Sequence, residues 1–536
     1  MVKAISVPKL GLAVVAASLL ALPPHGAVQP SHAASPRAAS TLVVNFGQAP
    51  NTLDPSEGCD LNTLGILGNL YVLLTQYRSQ PGPNGTTQED STKIVPYFAK
   101  SWTISPNGLV YKLTLHSGVK FPSGRPVDAA AVKYTFDRAL AMGSCASFFV
   151  NDDFSTPLIK SIQVVNPTSL VITLRQRDPN ILQTWAQPSL GIVDPSVVQA
   201  HGGVQANKVN EWMASHAAGA GPYLLQSYEP NSKAVLVANP TYFGKPPATS
   251  KIIINFINSD ATLLLQARSG NADVTMGLSK QSVHSLLGNS SVRIIANNTA
   301  ASEQIGLPWS NPPFNNLQFR TALTYAVPYQ QILSKVAFGY GSIFYGPFPA
   351  AMREYNAGLE KPRPFDLAQA QALIKASGVA TPVNFNMAIA EGDPIGEQIG
   401  TIIQGIWQQL GINVTISKLS QANYDSALFS HKVQSYIRYD GPSVIDAGYY
   451  LGYDMQCSAG ANLSDICIPQ ADALTAQARA TANPVQRQAL WNRITQLWVA
   501  KSPKITVYAD QYTTVLNKRV KTFFYSHDFD FRTWSK

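Results

Sequence analysis

Few residues in this 536-residue chain are spaced as known catalytic motifs require. The nearest match is Ser117-Gly118-Val119-Lys120, an S-x-x-K sequence like that of the serine nucleophile in penicillin-recognising acyl enzymes. That motif must open a helix and needs a downstream K-T-G element, but Ser117 follows a predicted strand and the chain has no K-T-G. There is no G-x-S-x-G or H-E-x-x-H, and the eight histidines are scattered. The sequence therefore favours a protein that binds over one that catalyses, with an exported serine acyl hydrolase as the alternative from another class.

The four cysteines are Cys59, Cys145, Cys457 and Cys467. Their number is even, and in an exported chain such cysteines are expected to form disulfides. Zinc binding is the competing interpretation, but the spacing contains no C-x-x-C pair and no nearby histidine. We therefore expect disulfides and no metal or other cofactor.

The N-terminus has the layout of a cleaved secretory signal over residues 1–33. Lys3 and Lys9 precede an apolar run, Leu10 to Leu22, which is shorter than the ~20 residues that span a bilayer. Ser31-His32-Ala33 resembles a cleavage site, and no cysteine lies close enough for lipid attachment. A plain N-terminal anchor is the alternative. We expect an extracytoplasmic protein, located in a periplasm or at a cell surface.

The composition suits a globular chain with large cores, since 45% of the residues are hydrophobic and 13% are charged. The formal net charge of +9 is spread along the sequence without a run of five basic residues. Nucleic-acid binding would require a basic cluster. We therefore expect no nucleic-acid partner.

Regular elements are readable along most of the chain. Residues 109–115 alternate between apolar and polar side chains and predict a half-buried strand. Asp128 is placed to cap a helix with Val132, Phe136 and Leu140 on one face. Residues 161–165 and 170–174 flank Asn166-Pro-Thr-Ser169 and predict a hairpin.

The second half follows an α/β pattern. A predicted strand at 383–389 leads into a helix with isoleucines on one face, which ends at Gly411, and a second strand follows at 412–416. Strand, helix and strand with short connections predict a parallel βαβ unit. A further helix, 366–377, ends at Gly378.

A series of segments resembles the peptide/nickel-type extracytoplasmic solute-binding family, also called the dipeptide- and oligopeptide-binding family. The resemblance covers nearly all of residues 41–536 and consists of about a dozen short motifs in the family's order. The most specific are Leu53-Asp54-Pro55, Val95 to Trp102, Tyr111 to Gly124 with Phe136 and Arg138, Gly219-Ala-Gly-Pro-Tyr223, Asn239 to Gly244, Leu265 to Asp273, Pro312 to Ala322 and Gly411 to Val414.

This resemblance implies an α/β fold of the two-lobed periplasmic-binding-protein type with an extra subdomain and a hinge. Lobe I would hold residues 34–300 plus 506–536, and lobe II residues 301–505. The implied function is the capture of di- or oligopeptides in the cleft between the lobes and their delivery to the permease subunits of an ABC transporter, by a protein that is a monomer. A nickel chelate, haem or a saccharide is the alternative ligand on the same scaffold.

The resemblance also implies ligand-binding residues. Gly58, Cys59 and Asp60 match an early segment that contributes extended backbone to the ligand. An aspartate of lobe II accepts the α-ammonium group in the family. Asp440 fits that position best, and Asp446 fits the family's following aspartate-proline, although Ala447 stands in place of the proline. Because the loop is also longer than usual, both aspartates stay candidates for the anchor. Aromatic candidates for side-chain pockets are Trp309, Tyr439, Tyr449 and Tyr450.

Two disulfides are expected. Members of the family carry a cysteine pair where Cys457 and Cys467 stand. Cys59 and Cys145 are then left to pair by elimination.

Overall fold

The computed structural model describes residues 40–536 except 153–155, 443, 458 and 527–528. The expected signal segment, 1–33, lies outside the described residues. Of the described residues, 40–300 and 506–536 are called lobe I, and 301–505 are called lobe II.

The strands of the described chain are β1 (Thr41–Phe46), β2 (Thr75–Pro81), β3 (Thr87–Pro96), β4 (Ala99–Ile104), β5 (Val110–Leu115), β6 (Asn151–Asp152), β7 (Thr156–Pro157), β8 (Ile159–Asn166), β9 (Ser169–Leu174), β10 (Tyr223–Glu229), β11 (Lys233–Ala238), β12 (Lys251–Phe256), β13 (Val274–Met276), β14 (Val292–Gly306), β15 (Gly341–Ser342), β16 (Val383–Ala390), β17 (Ile412–Leu419), β18 (Ser435–Asp440), β19 (Ile505–Asn517) and β20 (Phe524–Tyr525).

The α-helices are α1 (Leu61–Leu70), α2 (Ala129–Met142), α3 (Ser147–Val150), α4 (Ile181–Thr184), α5 (Pro195–Ala200), α6 (Asp260–Ser269), α7 (Lys280–His284), α8 (Leu317–Tyr325), α9 (Tyr329–Lys335), α10 (Leu367–Ser377), α11 (Pro394–Gln408), α12 (Gln421–Phe429), α13 (Ala447–Asp454), α14 (Pro469–Ala480) and α15 (Pro484–Lys501).

Two long strands run through both lobes. In the main sheet the order is β10-β11-β12-β1-β13-β19-β14-β18-β16-β17. The first part of β14 pairs with the last part of β19, and that part of β19 also pairs with β13. Further along β14, residues 302–305 pair with the first part of β19, and residues 302–306 pair with β18 on the other side. The register of the β14–β19 ladder shifts between Asn298 and Ser302. The two lobes are therefore joined by two adjacent strands.

A separate layer of lobe I is built on the four-stranded sheet β4-β5-β9-β8. The strand predicted at 109–115 is β5, and its side chains alternate between buried and less buried as expected. The predicted hairpin at 161–174 is the antiparallel pair β8–β9. Val132 and Phe136 of α2 pack into the apolar cluster beneath this sheet.

The βαβ unit of lobe II forms where the sequence predicts it. β16 and β17 are parallel, and α11 between them buries Ile399, Ile403 and Trp407 along one face. The Asp393 carboxylate caps α11 by accepting a hydrogen bond from the Gly396 amide. Gly411 follows the helix at φ +74°, a conformation that glycine adopts without steric cost.

The motifs that carried the family resemblance mostly hold the scaffold together. Arg138 of α2 donates two hydrogen bonds to the Asp54 carboxylate, at 2.7 and 2.5 Å, and both side chains are almost completely buried. Gly219 and Gly221 pack against the backbone of Leu70 so closely that a Cβ atom would overlap it. These residues therefore fix the packing of α1 and α2 within lobe I.

Both cysteine pairs are in bonding contact. The Cα atoms of Cys457 and Cys467 lie 4.4 Å apart, and those of Cys59 and Cys145 lie 5.8 Å apart. Since all four cysteines are paired, none remains as a zinc ligand.

Candidate functional site

A cavity of about 320 Å³, here called the aromatic chamber, lies between the lobes. Phe148 and Phe149 line it from lobe I, and Tyr449 and Tyr453 line it from α13 of lobe II. The rings of Phe149 and Tyr449 are stacked with their centroids 6.3 Å apart. Rings from both lobes thus offer flat apolar surfaces to a bound group.

Charged groups of both signs line the same chamber. Asp178 is the only carboxylate among the described residues that line it, and Arg177 and Arg479 are the cations. Arg479 of lobe II lies 3.8 Å from Asp178 of lobe I, and Arg177 donates a hydrogen bond of 3.4 Å to the carbonyl of Ala480. The chamber is therefore closed on this side by polar contacts between the lobes.

A second cavity of about 680 Å³, here called the amide chamber, lies between the β2–β3 hairpin, the strands β14 and β19, and residues 350–353. It is lined by five side-chain amides, those of Gln80, Gln88, Asn297, Asn298 and Gln511. One of these amides, Asn297, donates to Gln88 over 2.9 Å. Charged side chains of both signs line the same cavity, namely those of Arg78, Glu89, Asp90, Lys93 and Arg353. This part of the cleft therefore offers neutral amides together with carboxylates and cations.

Arg353 connects the two chambers. Its Nη2 atom donates to Asp446 Oδ2 at 3.0 Å and to Asn180 Oδ1 at 3.2 Å, and its Nε atom donates to Glu354. Arg353 lines the amide chamber and Asn180 lines the aromatic chamber. This guanidinium therefore bridges lobe II to lobe I at the boundary between the cavities.

Val444 and Ile445 are neighbours in the chain that lie on opposite sides of this boundary. Val444 lines the aromatic chamber and is fully buried in the apolar cluster of lobe I, although it belongs to lobe II. Ile445, the next residue, lines the amide chamber. Burying a valine side chain contributes roughly 1.5–3 kcal/mol, so this contact favours the closed arrangement of the lobes.

Asp446 is a capping and pairing residue in this structure. Its Oδ1 atom accepts hydrogen bonds from the amides of Gly448 and Tyr449 at the start of α13, and its Oδ2 atom accepts from Arg353. The side chain is 1% exposed. Burial and the neighbouring Asp446 carboxylate raise the pKa of Glu354 to about 7, against the opposing effect of Arg353.

Asp440 lies at the end of β18, opposite Ser302 of β14. Its carboxylate is 3.6 Å from the Arg438 guanidinium, and its side chain is 14% exposed. Burial raises the pKa of Asp440, while Arg438 acts in the opposite direction. Tyr453 lines the aromatic chamber, and its hydroxyl donates a hydrogen bond to the carbonyl of Gly441, next to this strand end.

The early segment of the predicted site lies around the start of α1. Gly58 is buried, its carbonyl accepts from Ser189, and Cys59 is exposed. The Asp60 carboxylate caps α1 through the Thr63 amide. These three residues are not among those that line either chamber in the described part of the chain.

The four aromatic candidates lie in different environments. Tyr449 lines the aromatic chamber, whereas the Tyr450 hydroxyl accepts from Gln304 within lobe II. Trp309 packs inside lobe II, where its indole donates to the carbonyl of Pro503 and the Arg320 guanidinium lies 4.0 Å from its ring centroid. Tyr439 is 48% exposed and its hydroxyl is 3.4 Å from Asp510 in β19.

Several lining residues were not expected from the sequence. Phe149, Asp178, Asn180, Arg353 and Val444 come from four segments that no single motif joins. The dipeptide Asp178-Pro179 could only be recognised as a turn. Contacts between segments 173 positions apart, as for Asn180 and Arg353, leave no local pattern.

The described residues contain neither the serine arrangement of an acyl hydrolase nor a metal-binding cluster. Ser117 lies in a bend after β5 and not at the start of a helix, so the requirement of the S-x-x-K motif is not met. Within the described residues, no three His, Cys, Asp or Glu side chains are grouped as a metal ion requires. Across the same residues, no helix combines the length and the apolar character needed to cross a membrane.

Residues 93–462 match the family model described as bacterial extracellular solute-binding proteins, family 5 middle. The probable D,D-dipeptide-binding periplasmic protein DdpA of Escherichia coli K12 is 26% identical over 501 residues, which cover 92% of this chain and 93% of the relative.

Solved structures agree in fold. A periplasmic binding protein DppA of Helicobacter pylori in complex with the peptide STSA has a TM-score of 0.79 at 21% identity, covering 92% of this chain and 98% of that one. NikA of Brucella suis in complex with Fe(III)-EDTA has a TM-score of 0.79 at 19% identity, covering 92% and 99%. The two-lobed α/β architecture expected from the sequence is therefore confirmed.

Proposed function

Because this chain belongs to the bacterial extracellular solute-binding proteins of family 5, we propose that it captures short peptides between its lobes and delivers them to an ABC-type import permease. The observation that carries the proposal is the aromatic chamber, which combines apolar rings with a carboxylate and two guanidinium groups. A zwitterionic peptide needs partners of both signs when it is desolvated, because an unpaired charge in a closed cleft is costly. The printed names of relatives that bind dipeptides or a peptide add support.

Three carboxylates compete for the role of accepting the α-ammonium group of such a peptide. Asp440 and Asp446 are predicted for this role by the resemblance, but Asp446 already binds Arg353 and two backbone amides, and Asp440 lies beside Arg438. Asp178 has partners too, since it accepts a hydrogen bond of 2.8 Å from the Asn180 amide and lies 3.8 Å from Arg479, but of the three carboxylates it is the one that lines the aromatic chamber. We propose Asp178 as the ammonium acceptor, with Asp440 and Asp446 as the competing assignments.

Calorimetry with dipeptides tests the proposal and the assignment together. Removing one partner of a desolvated charged pair costs about 2–5 kcal/mol, or roughly 30- to several-thousand-fold in affinity. We expect that loss for Asp178→Asn, and we expect N-acetylated dipeptide to bind weakly to the unmodified protein and lose little further in the variant. Full affinity in Asp178→Asn with a loss in Asp440→Asn or Asp446→Asn would move the role to that residue.

A melting-temperature screen decides between ligand classes. A ligand that binds only the native state stabilises it by roughly 2.7 kcal/mol at a hundredfold excess over Kd. Peptides should raise the melting temperature, whereas a nickel chelate, haem or saccharides should not. A shift with one of the latter and none with peptides would replace the peptide proposal by that alternative.

The protein is further proposed to release its ligand unchanged. The matching relatives are binding proteins, and Ser117 is not placed at a helix start. Turnover of a chromogenic ester or a β-lactam that is lost in Ser117→Ala would support the acyl hydrolase alternative instead. Export, a monomeric state and docking to permease subunits belong to the same proposal.

The lobe boundaries near residues 300 and 506 are also a proposal. The register shift in β14 between Asn298 and Ser302 supports a hinge at this position. Amide hydrogen exchange that changes there when ligand is added would agree with it, and exchange that changes only elsewhere would not.

A further inference from the structure

Positive charge is concentrated at the edge of the main sheet where β1 begins. Lys251 lies opposite Thr41 in the parallel pair β1–β12. The Asp273 carboxylate accepts a hydrogen bond of 2.7 Å from the Val43 amide, and the Asp273 carbonyl accepts one from the Asn517 amide. The start of β1, the turn before β13 and the end of β19 therefore meet at one edge of lobe I.

Six cationic side chains belong to the segments that meet there, and this surface is here called the basic edge: Lys251, Arg268, Lys518, Arg519, Lys521 and Lys536. Gly270, which ends α6 just after Arg268, lies against the side chain of Asn517. The Lys521 amide donates to the Ser535 carbonyl, which brings residues 535–536 to the same edge. Because the cations come from separate parts of the sequence, the basic edge forms without any run of five basic residues.

Little negative charge balances these cations. Asp273 is the only acidic side chain in the described segments of the edge, which are 40–43, 251, 268–273, 289–293, 517–521 and 535–536. The Asp273 side chain is 0% exposed and binds both Arg519 and Lys536. Six cations and one carboxylate leave a charge of +5, whereas the whole chain carries +9. More than half of the formal excess of positive charge therefore lies at the basic edge.

The cations of the basic edge face outwards. Arg268, Lys518 and Lys521 are exposed. Arg519 and Lys536 keep 42% and 31% of their side chains exposed although both bind Asp273. A negatively charged partner could therefore reach five of the six cations without a change in the fold.

Two exposed leucines lie beside the cations. Leu265 is 66% exposed and Leu287 is 58% exposed. Leu265 precedes Arg268 by three positions on α6, a spacing that makes them neighbours on the helix surface. Arg268 also donates a hydrogen bond of 3.0 Å to the Ser285 hydroxyl, two positions before Leu287. Apolar side chains next to Lys and Arg suit the boundary between lipid headgroups and acyl chains, whereas a nucleic acid or another polyanion offers no apolar layer.

We propose that the basic edge, together with Leu265 and Leu287, binds the surface of a bilayer that contains anionic phospholipids, with the headgroup phosphates as partners of the cations. This contact would hold the protein beside the membrane in which an import permease lies. It involves neither chamber, so it is independent of the ligand and goes beyond the proposed function.

The test is co-sedimentation of the whole exported protein with vesicles of phosphatidylcholine, either alone or with about a third of phosphatidylglycerol. We expect binding to the anionic vesicles that falls as salt is raised, because a Debye length of about 10 Å at 0.1 M shrinks to about 3 Å at 1 M. A cation near an anionic surface contributes about fivefold in affinity, so Lys518→Gln/Lys521→Gln should bind roughly 25-fold more weakly. Leu265→Ser/Leu287→Ser should also weaken binding to the anionic vesicles, with the salt dependence kept.

A matched control removes the same charge elsewhere. Lys361 and Lys432 are exposed in lobe II, so Lys361→Gln/Lys432→Gln should bind the vesicles within about twofold of the unmodified protein. Equal binding of the unmodified protein to both kinds of vesicle would overturn the proposal. An equal loss in the two lysine variants, with melting temperatures unchanged, would also overturn it, since net charge and not the basic edge would then be responsible. Binding to polyphosphate or DNA without binding to anionic vesicles would replace the membrane by a polyanion.

Discussion

The buried pair of Asp54 and Arg138 allows the role of the family motifs to be measured. Both Asp54 oxygens accept from Arg138, and Ser56 Oγ is a further acceptor for the same guanidinium. The two side chains are 0% and 1% exposed. If Asp54 is replaced by Asn, the Arg138 charge stays buried without a carboxylate.

Removing one partner of a buried ion pair typically costs 3–5 kcal/mol, because the remaining charge is uncompensated. We expect Asp54→Asn to lose that much unfolding free energy in urea titrations followed by tryptophan fluorescence. The matched control is Asp137→Asn on the same helix, α2. Its partner Lys133 lies 2.5 Å away, but the two side chains are 42% and 53% exposed, so the loss should be below about 1 kcal/mol.

A second comparison separates the missing charge from the missing contact. Replacing a buried pair by apolar residues of similar volume is often neutral, so Asp54→Leu/Arg138→Met should recover most of the lost stability. Dipeptide affinity of Asp54→Asn, measured well below its melting temperature, should stay within twofold of the unmodified protein. The reasoning fails if Asp54→Asn costs no more than Asp137→Asn. A large loss of affinity in a fully folded Asp54→Asn protein would instead place this motif in the binding site.

Three further predictions concern stability. Burial raises the pKa of Glu360 to about 8 from an ordinary value of 4.5; since the folded state holds this proton more tightly, its contribution to unfolding free energy is complete below about pH 4.5 and is lost as the pH rises towards 8. The pH slope of unfolding free energy over that range should therefore flatten in Glu360→Gln, and an unchanged slope would contradict the assignment. Gly405 of α11 has open space where a Cβ would lie, whereas a Cβ on Gly400 would be 2.8 Å from Ile389. Gly405→Ala should raise unfolding free energy by about 0.5–1 kcal/mol and Gly400→Ala should lower it, so equal effects would be inconsistent with the packing of this helix. The Cys59–Cys145 bond spans 86 residues and the Cys457–Cys467 bond spans 10, so serine substitution of the first pair should cost more, about 4.6 against 2.7 kcal/mol on the chain-entropy estimate; peptide mapping that finds free thiols in exported protein would remove the premise.

The elements of this fold could be predicted where their signals are local. The strand β5, the hairpin β8–β9 and the unit β16–α11–β17 were predicted from alternation, capping residues and glycines, and all three are present. The signal for each element lies in its own residues and in the capping or turn residues that flank it. The motifs that contain Asp54 and Arg138 identified the scaffold through the family resemblance. In the structure these two side chains form a buried ion pair between distant segments.

The site was harder to predict because its parts meet only in the folded chain. The candidates Gly58, Cys59, Asp60 and Trp309 lie near the start of α1 or inside lobe II, outside the residues lining the two chambers as described. Tyr449 lines the aromatic chamber, and its assignment as a ligand contact stays a prediction. Asp178, Asn180 and Arg353 acquire their positions from contacts between the lobes, which no spacing in the sequence encodes.

Asp446 shows how one sequence pattern can support two roles. An aspartate directly before a helix is a preferred N-cap, because its carboxylate accepts from the first free amides. Asp446 does this for α13 with two hydrogen bonds of 2.8 and 3.0 Å. The same carboxylate also fixes Arg353 at the boundary of the chambers. Its effect on a ligand would therefore be exerted through Arg353, so in calorimetry Asp446→Asn should weaken N-acetylated and unmodified dipeptides by the same factor. A loss confined to the unmodified dipeptide would instead make Asp446 the acceptor of the α-ammonium group.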